Sequence, residues 1–248
     1  MNKPIYRHLA HKKWSAMKRK ILMQRITQMH VVPDVLPTID PVLDVDLIYH
    51  RRIVEPGSFV PSNWSEKPPQ LRIQKFEKGA SWYTVVAVDS DVPDVESDGF
   101  QTRVLGVWSG FNVGPAENKH IVLGDKKAGR AETQSSWQVP FAQKGSPYHR
   151  ISFWVFEQPE QNSLSIEKVK EMVEVCHSNT WLRGFVERTG FKPAGVTMFR
   201  TQWDDTMAMV MKRNNIPGAD MEFRRKKPER LPDKYQVKDG LRYRGWRK

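Results

Sequence analysis

Hydrophobic and polar positions divide the chain into three stretches of different rhythm. Residues 8–29, HLAHKKWSAMKRKILMQRITQM, contain no proline or glycine. Trp14, Met17 and Ile21, then Leu22, Ile26 and Met29, recur at three- and four-residue steps, which predicts an amphipathic helix of about twenty residues. Lys12, Lys13, Lys18, Arg19, Lys20 and Arg25 cover much of the remaining surface. Pro33, Pro37 and Pro41 are expected to end this helix and to form an extended linker.

The rhythm then shortens. Val45–Tyr49, Trp82–Val88, Arg103–Trp108, Arg150–Phe156 and Val196–Trp203 are rich in β-formers and bounded by Pro, Gly, Asp and Asn, so they read as strands. Two helices are expected between them. Ile166–Cys176 places Ile166, Val169, Val173 and Cys176 on one face, with Ser163 or Ser165 as its cap. Thr180–Thr189 has Asn179 as a cap and Gly190 as a stop. Beyond about residue 211 the periodicity ceases. The expected fold class is mainly β (α+β): an antiparallel β-sandwich with C-terminal helices, preceded by a basic helix and followed by an extended basic tail. There are no internal repeats.

Charge changes this picture more than composition does. The 248 residues are 39% hydrophobic and include nine Trp and eleven Phe, enough for a core with polar extensions. A single cysteine, Cys176, excludes an internal disulfide framework, and scattered histidines argue against a zinc site. No apolar run is long enough to span a membrane as a helix. The net charge is +12. Residues 1–33 hold eight Lys/Arg and no acid, and residues 212–248 hold thirteen against five acids, leaving −4 for residues 34–211. A mildly acidic body with two basic ends is the layout of a module pinned to a polyanion.

The C-terminal end mixes these cations with Phe223, Tyr235, Tyr243 and Trp246. Arginine and lysine neutralise phosphates while aromatic planes stack on exposed bases. Arg224, Arg225, Lys226, Lys227, Arg230, Arg242, Arg244, Trp246 and Arg247 are therefore candidate RNA contacts, with Lys12, Lys13, Lys18, Arg19, Lys20 and Arg25 at the other end. For the N-terminal helix three readings stay open: a mitochondrial targeting segment, a membrane-surface helix and a nucleic-acid-contacting helix.

One stretch of the acidic body stands out: DSDVPDVESD, residues 89–98, following a run of β-formers. An EF-hand loop would need Asp at its fifth position and Gly at its sixth, where this chain has Pro93 and Asp94. The chain has no GxSxG, P-loop or GxGxxG motif. A carboxylate pair for acid–base work, or a strand-ending turn capped by Asp side chains, both fit the pattern.

Three segments in order narrow the choice. VDSDVP (88–93) resembles the D-P-D-x-P strand end of the phosphatidylethanolamine-binding-protein (PEBP) family. GSPYHRISFWVFEQ (145–158) resembles its G-x-x-x-H-R segment leading into a buried strand. FVERTGFKPAGVTMFRTQWDD (185–205) is similar to its final helix, loop and strand. The resemblance covers roughly residues 34–211 and implies a large antiparallel sheet packed on a smaller one. It also implies a small anion pocket lined by Asp89, Asp91 and His149, with Pro93 shaping the turn.

The chain departs from that pattern where it matters. Gly106 or Val107 stands where the family carries a second pocket histidine, and Ser90 replaces the proline of D-P-D. Two carboxylates without that imidazole repel an anion, so the pocket is expected to be vestigial. His149 is read as a hydrogen-bonded structural histidine, and Trp203-Asp204-Asp205 as closing the core and capping a turn.

A PEBP-like body with a decayed pocket and basic aromatic ends resembles one branch of the family, the mitochondrial large-subunit ribosomal proteins, of the fungal type. That resemblance implies a non-enzymatic structural component of the mitochondrial matrix. Its partners would be large-subunit rRNA and neighbouring ribosomal proteins, with no cofactor, metal or small-molecule substrate. The expected division is 1–33 as a basic helical arm ordering on assembly, 34–211 as the PEBP-like domain and 212–248 as a basic aromatic extension. The alternatives are a free phosphatidylethanolamine- or phosphate-head-group-binding regulator and, more weakly, an enzyme using Asp89, Asp91 and His149.

Overall fold

Strand β4, Ser81–Asp94, is buried from Tyr83 to Ser90 on both faces, as a central strand covered on each side must be. The computed structural model describes residues 3–94, 98–115, 119–123, 133–134, 136–159, 181–223, 235–238 and 241–244. In chain order its strands are β1 Asp44–Tyr49, β2 Arg52–Val54, β3 Gln70–Gln74, β4, β5 Gly99–Val113, β6 Lys119–Val122, β7 Thr133–Gln134, β8 His149–Gln158, β9 Lys192–Thr201, β10 Tyr235–Lys238 and β11 Leu241–Arg244. The helices are α1 Pro4–Lys13, continued by a π turn Trp14–Lys18 into α2 Arg19–Gln28, then α3 Val31–Asp34, α4 Ser62–Ser65, α5 Trp181–Thr189 and α6 Met207–Arg213.

Two antiparallel sheets form the body, one ordered β7-β5-β4-β8-β9 and the other β2-β1-β3-β6. Between them Leu47, Leu71, Tyr83, Trp108, Phe111, Phe153 and Phe199 make one apolar layer. The outer face of the larger sheet carries Val86, Val88, Trp154 and Phe156, packed against Trp181, Leu182 and Phe185 of α5. A larger antiparallel sheet packed on a smaller one is the arrangement that the sequence resemblance implies.

The N-terminal helix departs from expectation. Its residues Leu22 and Ile26, with Val31, Val35 and Leu36 of the linker, belong to that outer layer and are buried in it. The helix is thus docked on the body, because its apolar stripe completes a layer that α5 covers only in part. It stops at Gln28, before any proline, where His30 adopts a left-handed backbone (φ 53°), a conformation that commonly closes a helix C-terminus.

α5 ends at Gly190 as expected, in the left-handed region (φ 68°). Helix α6 follows the last strand of the larger sheet and buries Met207, Val210 and Met211, so the expected boundary at 211 falls inside it. The tail, expected to be extended, pairs Tyr235–Lys238 with Leu241–Arg244 as an antiparallel hairpin. The helix expected over 166–176 lies outside the described residues.

Candidate functional site

The acidic stretch does not end its strand. β4 continues to Asp94, with register shifts against β5 between Ala87 and Val88 and between Asp89 and Val92. Such bulges re-aim side chains. Here the Asp89 carboxylate accepts the Asp91 backbone N–H at 3.1 Å, a local bond of the kind expected of an Asp-capped turn but formed inside a strand.

Asp89 is wholly buried (0% exposed) and its carboxylate is fully engaged. His149 Nδ1, at the start of β8, lies 3.1 Å from Oδ2 and 3.3 Å from Oδ1. Arg103 Nη2 of β5, directly opposite Asp89 in the ladder, donates to Oδ2 at 3.1 Å. Burial alone would raise the Asp89 pKa. Attraction and hydrogen bonding from His149, with Arg103 and the Asp91 N–H, outweigh that and hold it below its ordinary value. His149 is itself only 4% exposed.

Asp91 belongs to a second, separate pair. Arg150 donates to it through Nε, at 2.8 Å to Oδ2, and Nη2, at 2.6 Å to Oδ1, a forked guanidinium–carboxylate contact. The Arg150 backbone N–H adds a bond of 2.7 Å. Arg150 Nη1 also donates to the Met29 carbonyl and to Asp34 Oδ2, each at 2.8 Å, while Arg183 Nη2 donates to the Pro33 carbonyl at 2.7 Å. The acidic strand end therefore holds the N-terminal linker in place. A cleft of about 360 Å³ lies beside Asp34, Asp91, Phe100, Arg150 and Arg183.

Of the four residues expected to line a pocket, Asp89 and His149 come together, Asp91 turns to Arg150, and Pro93 pairs with Phe100 at an exposed position. Both carboxylate oxygens of Asp89 are engaged, and His149 is held to it through Nδ1. Arg103 was not singled out from the sequence. Its role depends on strand register, which no local motif encodes. The space over Gly106, one of the two positions expected to replace the family histidine, is taken by the Trp108 ring, 2.3 Å from where a Cβ at 106 would sit.

Asp204 caps as expected. It accepts the Ser62 N–H at 2.7 Å, the Ser62 hydroxyl at 2.5 Å and the Thr206 hydroxyl at 3.0 Å, tying the last strand's exit to α4.

The candidate RNA contacts divide. Lys12, Lys13 and Lys20 are exposed. Lys18 is bound to Asp44 and Asp46 at 2.6 and 2.5 Å, and Arg19 is paired with Asp40, so these two serve the docking of the helix. Arg25 is half-buried. Arg242 and Arg244 sit on β11, of which only the backbone is described. Arg224, Arg225, Lys226, Lys227, Arg230, Trp246 and Arg247 lie outside the described residues. No described helix is long and apolar enough to cross a membrane.

Known proteins align with this geometry. The chain is 26% identical over 237 residues to the large ribosomal subunit protein mL38 of Schizosaccharomyces pombe, covering 92% of this chain and 71% of that one. Among solved structures it resembles a carboxypeptidase Y inhibitor complexed with its cognate proteinase (TM-score 0.58, 15% identity, 75% of this chain and 97% of that one). It also resembles the phosphatidylethanolamine-binding protein of Plasmodium vivax (TM-score 0.54, 16% identity, 73% and 97%). At that level of identity the structures speak for the fold alone. Residues 51–194, more than half of the chain, match the family model of the phosphatidylethanolamine-binding protein, and the chain belongs to that family.

Proposed function

We propose that this protein is a structural constituent of the mitochondrial large ribosomal subunit, working from the matrix and not as an enzyme. The observation that carries this reading is the extent of the likeness to mL38. It runs over 92% of the chain, well beyond the family-matched 51–194, and so takes in basic end sequence that the family domain lacks.

The body supports the same reading. In this reading the anion pocket implied by the family resemblance is vestigial, which is supported by Asp89 being engaged by His149, Arg103 and the Asp91 N–H. The contacts to rRNA fall to the ends: the exposed Lys12, Lys13 and Lys20 on the helix, and the cation-and-aromatic tail beyond Phe223. Phosphate neutralisation by such cations releases counterions and weakens steeply with salt.

Cosedimentation of the full chain with large mitochondrial ribosomal particles, at rising salt, tests this. The chain is expected in the particle fraction, and a variant lacking 224–248 is expected to leave it at lower salt. A chain found only in the soluble fraction, or one that binds phosphatidylethanolamine vesicles and no particle, contradicts the reading.

A further inference from the structure

The N-terminal helix buries only part of the stripe that its periodicity defines. Trp14, Leu22 and Ile26 are buried, yet Met17 is 69% and Ile21 45% exposed. These two residues, with Trp14, wall one side of a groove of about 750 Å³. The other side is the outer face of the smaller sheet, contributed by Arg72 and Gln74 of β3, with Phe76 just beyond that strand. That volume lies in the range of a site able to enclose several apolar side chains.

Three features separate this groove from a gap left by poor packing. First, the helix changes pitch there: the π turn Trp14–Lys18 supplies Trp14, Ala16, Met17 and Lys18 to the wall. Such insertions concentrate at functional positions. Second, the aromatic end is rigid, with the Trp14 ring 5.1 Å from Phe76, and His11 packed on both. Third, the ionic groups at its floor are already paired. Lys18 bonds Asp44 and Asp46, and Arg72 bonds Asp46, so the floor offers no unspent charge to an ion or a phosphate.

The rim decides what kind of occupant fits. Lys13 lines the groove and is exposed, Lys20 stands exposed farther along the same helix, and residues 1–33 contain no acid. Exposed methionine and isoleucine gain nothing from a phosphate backbone, whereas apolar centres ringed by charge are how protein interfaces are built. We infer that this groove docks an acidic amphipathic segment of a neighbouring polypeptide. Its apolar side chains would cover Met17 and Ile21, and its carboxylates would face Lys13, in the manner of a helix laid in a groove. The inference goes beyond the ribosomal role proposed above, which concerns the basic ends and the closed pocket.

Fluorescence anisotropy with the full chain tests it. The probe is a synthetic amphipathic helix of about five turns, leucine on one face and glutamate on the other. It is compared with the same peptide carrying lysine for glutamate, with an oligouridine competitor and with phosphatidylcholine vesicles. The glutamate peptide is expected to bind saturably, and Met17→Asp with Ile21→Asp to weaken it by roughly tenfold or more, as for the loss of interface anchors. Lys13→Glu, an exposed change that leaves the packing untouched, is expected to weaken the glutamate peptide and favour the lysine one. Thermal melting confirms that each variant is folded. No saturable binding, equal binding of both peptides, displacement by oligouridine, preference for vesicles, or a chain that blocks the groove by dimerising would each overturn the inference. Because the assay needs only the isolated chain, its failure leaves the ribosomal reading standing. Failed cosedimentation with intact peptide binding would do the reverse.

Discussion

Arg103 and Asp89 stand opposite one another on neighbouring strands, and the Arg103 Nη2 reaches the wholly buried Asp89 carboxylate at 3.1 Å. With His149 on the other side, the carboxylate is an internal tie between β4, β5 and β8. Its removal is therefore a stability experiment before it is a binding one.

Arg103→Met leaves Asp89 buried with one partner fewer. Breaking a buried pair from one side costs about 3–5 kcal/mol, and the partly solvated Arg103 places this case toward the lower end. Urea unfolding is the measurement. Asp89→Asn with Arg103→Met removes the stranded charge and is expected to recover part of that loss. A single variant as stable as the wild type would show that the pair contributes nothing.

Acid should undo the same tie. The folded pKa of Asp89 lies below its unfolded value, as does that of Asp204, where burial is outweighed by bonds from Ser62 and Thr206. A depressed carboxylate stabilises the fold at pH above its unfolded pKa, about 4, and that contribution fades as pH falls through the folded value. Unfolding midpoints are thus expected to be level from neutrality down to about pH 5 and to drop below about pH 4. Asp204→Asn should flatten part of the drop, because its bonds to Ser62 and Thr206 no longer titrate.

The difference between what was legible and what was not follows sequence distance. The strands around Trp82–Val88 and Arg150–Phe156 were readable because dense β-formers report burial locally. Asp204 as a cap was readable for the same reason, since Thr206 lies two residues away. The Asp89–Arg103 pair was not, because it depends on register across a bulged ladder. β2 and β3 were missed because RIV and QLRIQ are short and flanked by charge. The docking of the N-terminal helix was hidden by its own composition. Its cations suggested an outward-facing arm, while Lys18 and Arg19 are spent on Asp44, Asp46 and Asp40, acids of the linker and first strand.

Gly106 is one of the two candidate positions for the second histidine of the family, and placing a histidine there should fail. A Cβ there would sit 2.3 Å from the Trp108 ring, which is 1% exposed in the layer between the sheets and cannot swing away freely. Gly106→His is expected to destabilise by about 1–3 kcal/mol or more, as over-packing does, and to create no head-group binding. Gly106→His combined with Trp108→Val makes room for the ring and should regain stability in thermal melts. Phosphate-head-group binding by the single variant would contradict the closed-pocket account.

The N-terminal helix is an integral part of the fold. Leu22 and Ile26 are buried against the layer that contains Val86 and Trp154, and burying one such side chain is worth about 1.5–3 kcal/mol. Arg150 and Arg183 then clamp the chain that follows, through the Met29 and Pro33 carbonyls and Asp34. Deleting residues 1–28 should accordingly lower the melting temperature and expose an apolar face that binds a hydrophobic dye. Arg150→Ala tests the clamp separately: faster amide exchange is expected across 29–36, with the Leu22 and Ile26 contacts kept. A detachable arm predicts the opposite, an unchanged melting temperature on truncation and exchange indifferent to Arg150. The two accounts differ most in the isolated protein, where no assembly partner can order the helix and only its own apolar stripe and the two arginines can hold it.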